Sequence, residues 1–389
     1  MNLLFLKWDA FGTEYMLQEW RRAGYNILIF EFPQKSEDTR RSEELATKVA
    51  QSIINNKIDV VFSFNYFPTV AIACKACRVK YVSWTYDSPY IQLYSKTIEY
   101  DTNYAFVFDK AEYINLRNLG VDTVYYLPMA APVEVYDGMQ LTADKKLKYH
   151  ADVAMIGSMY TEKKHHLFRH LENLDSYTKG YIDALIDAQK KIYGVDIIEK
   201  SLAPSIVKNM QKVCPMLASG DGLETVEWVF SKYFLTRKLT AMERHEFIEA
   251  LSKENKVVLY TPEETPGLEV MNRGAIDYYD AAPYAIKGAK INLNITLRSI
   301  VSGIPLRAFD IMGCGGFLLT NYQEDFLEFF EPNKDFVYFD SKEDLVDKAN
   351  FYLKNDSLRE AIALSGYEKV KSMHTYKCRL DSILNIIGL

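Results

Sequence analysis

The sequence predicts an α/β fold of two Rossmann-like halves facing each other across a cleft, the second carrying a helical insertion. Three observations lead there. A chain of 389 residues is long for one core, so two domains are expected. Short apolar runs alternate with amphipathic helical patterns in both halves, the rhythm of parallel sheets covered by helices. Between the two rhythms lies "LPMAAPVEVYDGMQLTADKKLKYH", rich in prolines and charges. The division read from this is an N-terminal domain over 1–135, a linker over 136–150 and a C-terminal domain over 151–389. The insertion covers about 175–250, and the last helices are candidates to pack back on the first domain.

Each element follows in order. "NLLFLKW" reads as a buried strand, "TEYMLQEWRRAG" as its helix and "YNILIFEF" as the next strand. A polar helix from Glu37 to Asn56 leads to the strand "IDVVFSFN". The helix around "TVAIACKAC", the strands "KYVSWTY" and "YAFVFD", the helix "AEYINLRNLG" and the strand "TVYYLP" complete the first half. The second block opens with "ADVAMIGSMY", is interrupted by helices such as "YIDALIDAQKKIYG" and "AMERHEFIEALSKEN", and resumes with "KVVLYT". "IDYYD", "AKINLNIT", "GGFLLT" and "FVYFD" continue it. Ser341 to Asp344 form a capping box before "EDLVDKANFYLKN", and two further helices run to the end. Ligands of such sheets lie beyond the carboxyl ends of the strands.

Composition narrows the function. The net charge is −6 and no dense basic block occurs, so a nucleic-acid partner is not expected. "KKLKYH" (Lys145 to His150) reads as solvated linker. No apolar run approaches the ~18 residues of a membrane span, and no secretory leader is visible, so the expectation is a cytoplasmic protein without a transmembrane segment. Five scattered cysteines fit reduced thiols. Cys74 and Cys77 form a lone C-x-x-C that lacks the second pair of a zinc site and reads as core packing. No G-x-x-x-x-G-K-[ST], no G-x-G-x-x-G after the first strand, no Asp-X-Asp and no H-E-x-x-H occur. No cofactor and no metal are therefore expected.

The candidate site residues cluster after predicted strands. In "SGIPLRAFDIMGCGGFLLT", Ser302 is a candidate N-cap and Pro305 suits a first helical turn, so a helix is predicted from about Ile304. Arg307 adds a fork suited to phosphate, and Asp310, three residues on, a carboxylate suited to two ribose hydroxyls. Gly313, Gly315 and Gly316 then end the helix and allow tight entry into the strand "FLLT", and close backbone approach there is the third part of a nucleotide site. An exposed ion pair with a glycine cap explains the same residues equally well. Gly157 and Ser158 end another strand, with Lys163 and Lys164 in reach, as a diphosphate would require. Asn294, Thr296 and Arg298 follow a further strand, and Tyr260 and Thr261 are placed to border a base. In the first half, Asp87 is a candidate general base for an acceptor hydroxyl, or a plain turn former in Asp-Ser-Pro. Gly12 and Thr13 either admit an acceptor or simply turn the chain.

"KINLNITLRSIVSGIPLRAFDIMGCGGFLLTNYQEDF" resembles the C-terminal block of spore-maturation (CgeB-like) glycosyltransferases of the GT-B group. "DVAMIGSMYTEKK", "LTAMERHEFIEALSKENKVVLYT" and the tail from Phe336 are similar to the same family, and "SWTYDSP" and "YAFVFD" more loosely. The resemblance implies an enzyme, a hexosyltransferase-type glycosyltransferase with UDP as the habitual nucleotide. Gly157 and Ser158 then lie against the diphosphate with Arg307 near it, Asp310 takes the place of a ribose-binding glutamate, and Gly315 and Gly316 match the family's glycine pair. The acceptor (protein, glycan or small molecule) approaches near Asp87. A helix N-terminus and Arg307 stabilise the leaving diphosphate without a metal. The rival readings are a non-catalytic nucleotide-sugar-binding protein and a nucleotide-sugar epimerase, and a homo-oligomer is left open.

Overall fold

Strand β1 (Asn2–Lys7) buries Leu3, Leu4, Phe5 and Leu6 in succession because it lies inside a parallel sheet, covered on both faces. Its neighbours are β2 (Asn26–Glu31) and β3 (Val60–Phe64), and β4 (Lys80–Thr85), β5 (Asn103–Val107) and β6 (Val124–Tyr126) extend the sheet. The order is β2-β1-β3-β4-β5-β6, parallel throughout. The chain leaves β1 for β2 on one side and returns to β3 on the other, so the carboxyl ends of β1 and β3 flank the topological switch point. The computed structural model describes residues 1–33, 39–162 and 166–389.

Local sequence sets the covering helices. Gly12 caps helix Thr13–Arg22 with φ +82°, a left-handed backbone that favours glycine, and a Cβ there would strike the Tyr376 hydroxyl. Ser42 accepts from the Leu45 amide and starts helix Glu43–Asn55. The longer helix predicted from Glu37 therefore begins at Glu43, and Glu37 itself lies outside the described residues. In helix Pro68–Cys77, Cys74 is buried in the core as expected of a packing thiol. Helix Tyr376–Ile387 belongs to this unit: the Tyr376 ring lies 5.5 Å from Tyr15 and 5.9 Å from Trp84. Its Arg379 Nε donates to the carbonyls of Pro128 and Met129 at 2.7 and 3.1 Å.

The second sheet repeats the plan. Strands β7 (Ala151–Ile156), β8 (Val257–Tyr260), β9 (Met271–Asn272), β10 (Ala289–Asn294), β11 (Leu318–Asn321) and β12 (Val337–Phe339) take the order β12-β11-β10-β7-β8-β9, again parallel. The switch point here lies between β7 and β10. Alternation sorts β8 between two cores. Val257 and Leu259 join Phe247, Ile248 and Leu251 of helix Thr236–Ser252 together with Leu345, Ala349 and Ile362. Val258 and Tyr260 face Tyr149, Ala154 and Ala285 instead. Each fully buried aliphatic or aromatic side chain of this kind contributes about 1.5–3 kcal/mol. "IDYYD", read as a strand, is irregular, and the edge of the sheet is the short β9.

Two compact units result. One comprises Met1–Met129, Ser219–Glu224 and Thr375–Leu389; the other comprises Ala130–Ala218 and Thr225–His374. The break thus falls at 129/130. Residues 136–150, read as a linker, belong to the second unit, where helix Ala143–Tyr149 packs Lys145 over the Tyr284 ring at 3.3 Å and buries Tyr149. The insertion is helical as expected: Ser176–Lys190, Ile197–Ser201, Pro204–Val213 and Val226–Val229 lead through a π-helical turn, Phe230–Leu235, into Thr236–Ser252. Lys232 and Asp196 form a buried ion pair inside it at 2.7 Å. Among the described residues no helix is long and apolar enough to cross a membrane.

Candidate functional site

At the second switch point, β7 ends in Gly157 and Ser158. The Gly157 amide donates to the Tyr260 carbonyl at 3.1 Å, which carries the turn along β8 before it leaves the sheet. Ser158 Oγ accepts from the Tyr160 amide at 2.8 Å and donates to Glu162 Oε2 at 2.5 Å. Into this turn reaches Arg244, from the helix of the insertion. Its Nη1 donates to the Ser158 carbonyl and its Nη2 to the Ile295 carbonyl, just past β10. One guanidinium therefore bridges both edges of the switch point. It lies 4.8 Å over the Tyr160 ring. Arg244 is only 8% exposed, its Nε has no hydrogen-bond partner, and among the described residues it makes no ion pair. Burial lowers its pKa, opposed by the fields of Tyr160, Glu162 and Glu243. The guanidinium is thus held by carbonyl dipoles, with the carboxylates of Glu162 and Glu243 acting on it electrostatically and no ion pair among the described residues. Glu162, also buried, leaves Oε1 without a hydrogen-bond partner beside it.

Sequence reasoning missed Arg244 and Glu162. The signal for Arg244 was present. Arg244, Phe247, Ile248 and Leu251 stand at i, i+3, i+4 and i+7, so the arginine occupies the apolar stripe of its helix, where an arginine is seldom tolerated without a task. Lys163 and Lys164, expected near the same turn, lie outside the described residues.

Arg307 and Asp310 meet as expected, but with different roles. Helix Leu306–Gly313 begins after Pro305, which is its N-cap; Ser302 is not, because the chain from 302 to 305 is still extended or bent. Arg307 Nη1 donates to Asp310 Oδ2 at 3.2 Å, and its guanidinium lies 5.8 Å from the Tyr278 ring. Asp310 is 1% exposed, and its Oδ1 accepts from Tyr136 Oη at 2.8 Å and Tyr278 Oη at 3.1 Å. Burial raises its pKa against the opposing pull of Arg307 and the two phenols. A carboxylate already holding three donors inside the fold has no room for a ribose diol, so the structure gives Asp310 the task of orienting Arg307. The Arg307 side chain keeps about a quarter of its surface open (24%).

Five further donor-site residues are engaged in packing within the fold. Arg298 is buried with its guanidinium 3.4 Å from Glu243, 4.0 Å from the Tyr193 ring, and donating to the carbonyls of Gln189 and Ile192 at 2.5 and 2.9 Å. Its Nη2 pins the insertion to the residues after β10, and its Nε, beside Glu243, makes no hydrogen bond. Tyr260 points into the core, its hydroxyl accepting from Arg273 at 3.0 Å, and so does not border a base. Gly315, with φ +74°, ends helix Leu306–Gly313 by donating to the Met312 carbonyl at 2.9 Å. Gly316 donates to Ile311, and a Cβ there would press on Asn292 at 2.8 Å. The glycine pair thus serves the helix end. Asn294 sits at the end of β10 with its amide on Thr296 and Thr320 at 3.0 and 2.9 Å, tying β10 to β11.

In the first unit, Thr13 is buried and donates to the Ala10 carbonyl at 2.9 Å, while Gly12 lies against Tyr376. Both shape the β1 turn rather than open it. Asp87 is exposed at the end of β4, where Asn65 Nδ2 donates to its Oδ2 at 2.7 Å. Asn65 is 1% exposed with φ +57° and accepts from the Tyr86 amide at 3.2 Å, so the end of β3 aims the carboxylate.

Residues 237–385 match a family model described as "Glycosyl transferase-like", a span that includes Arg244, Arg307 and Asp310. Solved structures similar to the chain include Anabaena Alr3699/HepE in complex with UDP-glucose, with a TM-score of 0.57 at 13% identity over 100% of this chain and 99% of that one. Sucrose-phosphate synthase from Thermosynechococcus elongatus matches with a TM-score of 0.53 at 11% identity over 100% and 98%. A glycosyltransferase from Rickettsia africae matches with 0.53 at 12% over 99% and 97%. No curated protein matches in sequence. The two parallel six-stranded sheets are therefore those of the GT-B glycosyltransferase fold.

Proposed function

We propose that the chain is a metal-independent glycosyltransferase of CgeB-like type that moves a hexosyl group from a UDP-sugar to an acceptor hydroxyl. The observation that carries this reading is Arg244: a buried guanidinium at the β7/β10 switch point, bridging Ser158 and Ile295 and making no ion pair among the described residues. The glycosyl transferase-like match over 237–385 and the UDP and UDP-glucose complexes of Anabaena Alr3699/HepE support the donor class.

In the reaction the acceptor oxygen forms a bond to the anomeric carbon while the bond from that carbon to the diphosphate oxygen breaks. Negative charge grows on the departing diphosphate. Arg244, whose interaction with a nearby charge is little screened in its dry surroundings, and Arg307, held in orientation by Asp310, stabilise that charge in the role a divalent cation plays elsewhere. Glu162 Oε1 is placed beside the same turn to accept a donor hydroxyl. For an inverting course Asp87, aimed by Asn65, takes the acceptor proton.

Titration calorimetry with UDP and a panel of UDP-sugars, with and without EDTA, tests this. Binding to wild type that survives EDTA and falls about tenfold or more in Arg307→Ala supports the reading. Unchanged affinity in that variant, or binding that vanishes with the chelator, overturns it.

A further inference from the structure

The first switch point carries chemistry unlike the second. Trp8 follows β1, and its indole Nε1 donates to the Phe64 carbonyl at 3.0 Å, fixing the ring at the end of β3. Tyr86 follows β4 and lies nearly parallel to Trp8, 16° between planes and 6.2 Å between centroids. Phe11 is 47% exposed, its ring 6.4 Å from Tyr86 and its amide donating to Tyr86 Oη at 3.4 Å. The half-buried Trp8 and Tyr86 thus present near-parallel rings, with the exposed Phe11 ring beside Tyr86 and tilted 52° to it, an aromatic surface in which the Trp8 indole is fixed by its hydrogen bond. The exposed carboxylates of Asp9 and Asp87 belong to the same two loops. Lys7, at the same strand end, pairs with Glu14 at 3.1 Å.

We infer that the acceptor is a neutral saccharide whose ring lies on the Trp8–Tyr86–Phe11 platform with its hydroxyls directed to Asp9 and Asp87. This rests on the glycosyl-transfer reading above and adds the acceptor class to it. A pyranose presents an apolar C–H face to an aromatic ring and a rim of hydroxyl donors to carboxylates, which matches both halves of the surface. Nucleotides and acidic sugars carry negative charge toward two carboxylates, and a lipid chain offers them no donor. Position agrees: aromatic rings and the Asn65-held carboxylate converge where an open parallel sheet receives its ligand. Because the Trp8 indole is already fixed by its bond to the Phe64 carbonyl, ordering it on binding costs little entropy.

The chain has four tryptophans, and Trp20, Trp84 and Trp228 are all buried, so Trp8 is the one that a quencher reaches. The test is acrylamide quenching of the donor-free full chain in the presence of methyl glycosides of neutral hexoses, N-acetylhexosamines and deoxyhexoses and of short oligosaccharides. Methyl glucuronide and octanol are the comparison ligands. Protection of Trp8 by at least one neutral glycoside, weakened about tenfold in Phe11→Ala, is the expected result; tenfold is the scale on which one aromatic stacking partner is lost. Protection by none of the neutral glycosides, protection only by glucuronide or octanol, or equal protection in Phe11→Ala overturns the inference. UDP calorimetry on the same samples separates the two readings. UDP binding without saccharide protection removes only the acceptor class, whereas loss of both removes the transferase reading itself.

Discussion

At the carboxyl ends of β1 and β3 the chain places Trp8, Asn65 and, from the next strand, Tyr86; at those of β7 and β10 it places Gly157, Ser158 and the guanidinium of Arg244. Both are switch points of parallel six-stranded sheets. One presents half-exposed rings and carboxylates, the other a small turn over a buried cation. Strand order thus fixes where a ligand meets each sheet, and the few residues after each strand fix what it is. The same contrast runs inside the second unit between two buried arginines. Arg298 lies 3.4 Å from Glu243 and donates to two carbonyls of the insertion; Arg244 donates to two carbonyls at the switch point and makes no ion pair among the described residues, which is the basis for proposing it as the anion-binding one.

That contrast is open to direct attack. Arg298→Ala breaks a buried pair and leaves Glu243 uncompensated, a change that costs about 3–5 kcal/mol of stability. Urea denaturation measures it, and UDP-sugar affinity of the folded fraction stays at the wild-type value. Affinity lost in proportion would make Arg298 a donor ligand after all. Arg244→Gln keeps hydrogen-bonding capacity but removes the charge. Donor affinity by calorimetry is expected to fall about 100-fold, near 2.7 kcal/mol, with the far-UV circular dichroism spectrum retained. Equal affinity would reduce Arg244 to a strand clamp and erase the difference between the two arginines.

Glu243 sharpens the comparison through pH. Burial pushes its carboxyl up to about 7, against the downward pull of Arg298 and Lys190. Between the ordinary carboxylate range and that value the folded state binds a proton that the unfolded state has released. Its contribution to stability is therefore greatest at low pH and declines as pH rises toward about 7, by at most about 1.4 kcal/mol per pH unit. Denaturation midpoints of wild type and Glu243→Gln across pH 5–8 check this: the decline attributable to this group is absent in the variant.

Much of the fold was legible because strands buried on both faces write continuous apolar runs, as "NLLFLK" does, and parallel pairing follows from the intervening helices. The site was legible only in part. Gly157 and Ser158 stand beside Arg244 as strand-end logic foretold, but Arg244 itself comes from 86 residues away, and only the fold brings the two together. The glycines carried two expectations, a helix end and a ligand's approach. A ligand's close approach and a helix end make the same demand on a backbone, and Gly315 answers the second. Asp310 was placed correctly beside Arg307, yet nothing local revealed that Tyr136 and Tyr278, 174 and 32 residues away, would occupy its other oxygen.

Tyr260 gives the smallest test of that lesson. A tyrosine ending a strand looks like a base-stacking wall when only the sequence is in view. Period-two alternation, however, puts it on the same face as Val258, against Tyr149 and Ala285, and its hydroxyl is satisfied by Arg273 at 3.0 Å. Removing that hydroxyl deletes one hydrogen bond to a charged donor and leaves the ring in place. Tyr260→Phe is therefore expected to cost about 1–2 kcal/mol in denaturant unfolding, with donor affinity unmoved in the same preparation. Were the ring a wall of the nucleotide site with its hydroxyl on the ligand, the order of effects would reverse: affinity would fall while the unfolding midpoint stayed put.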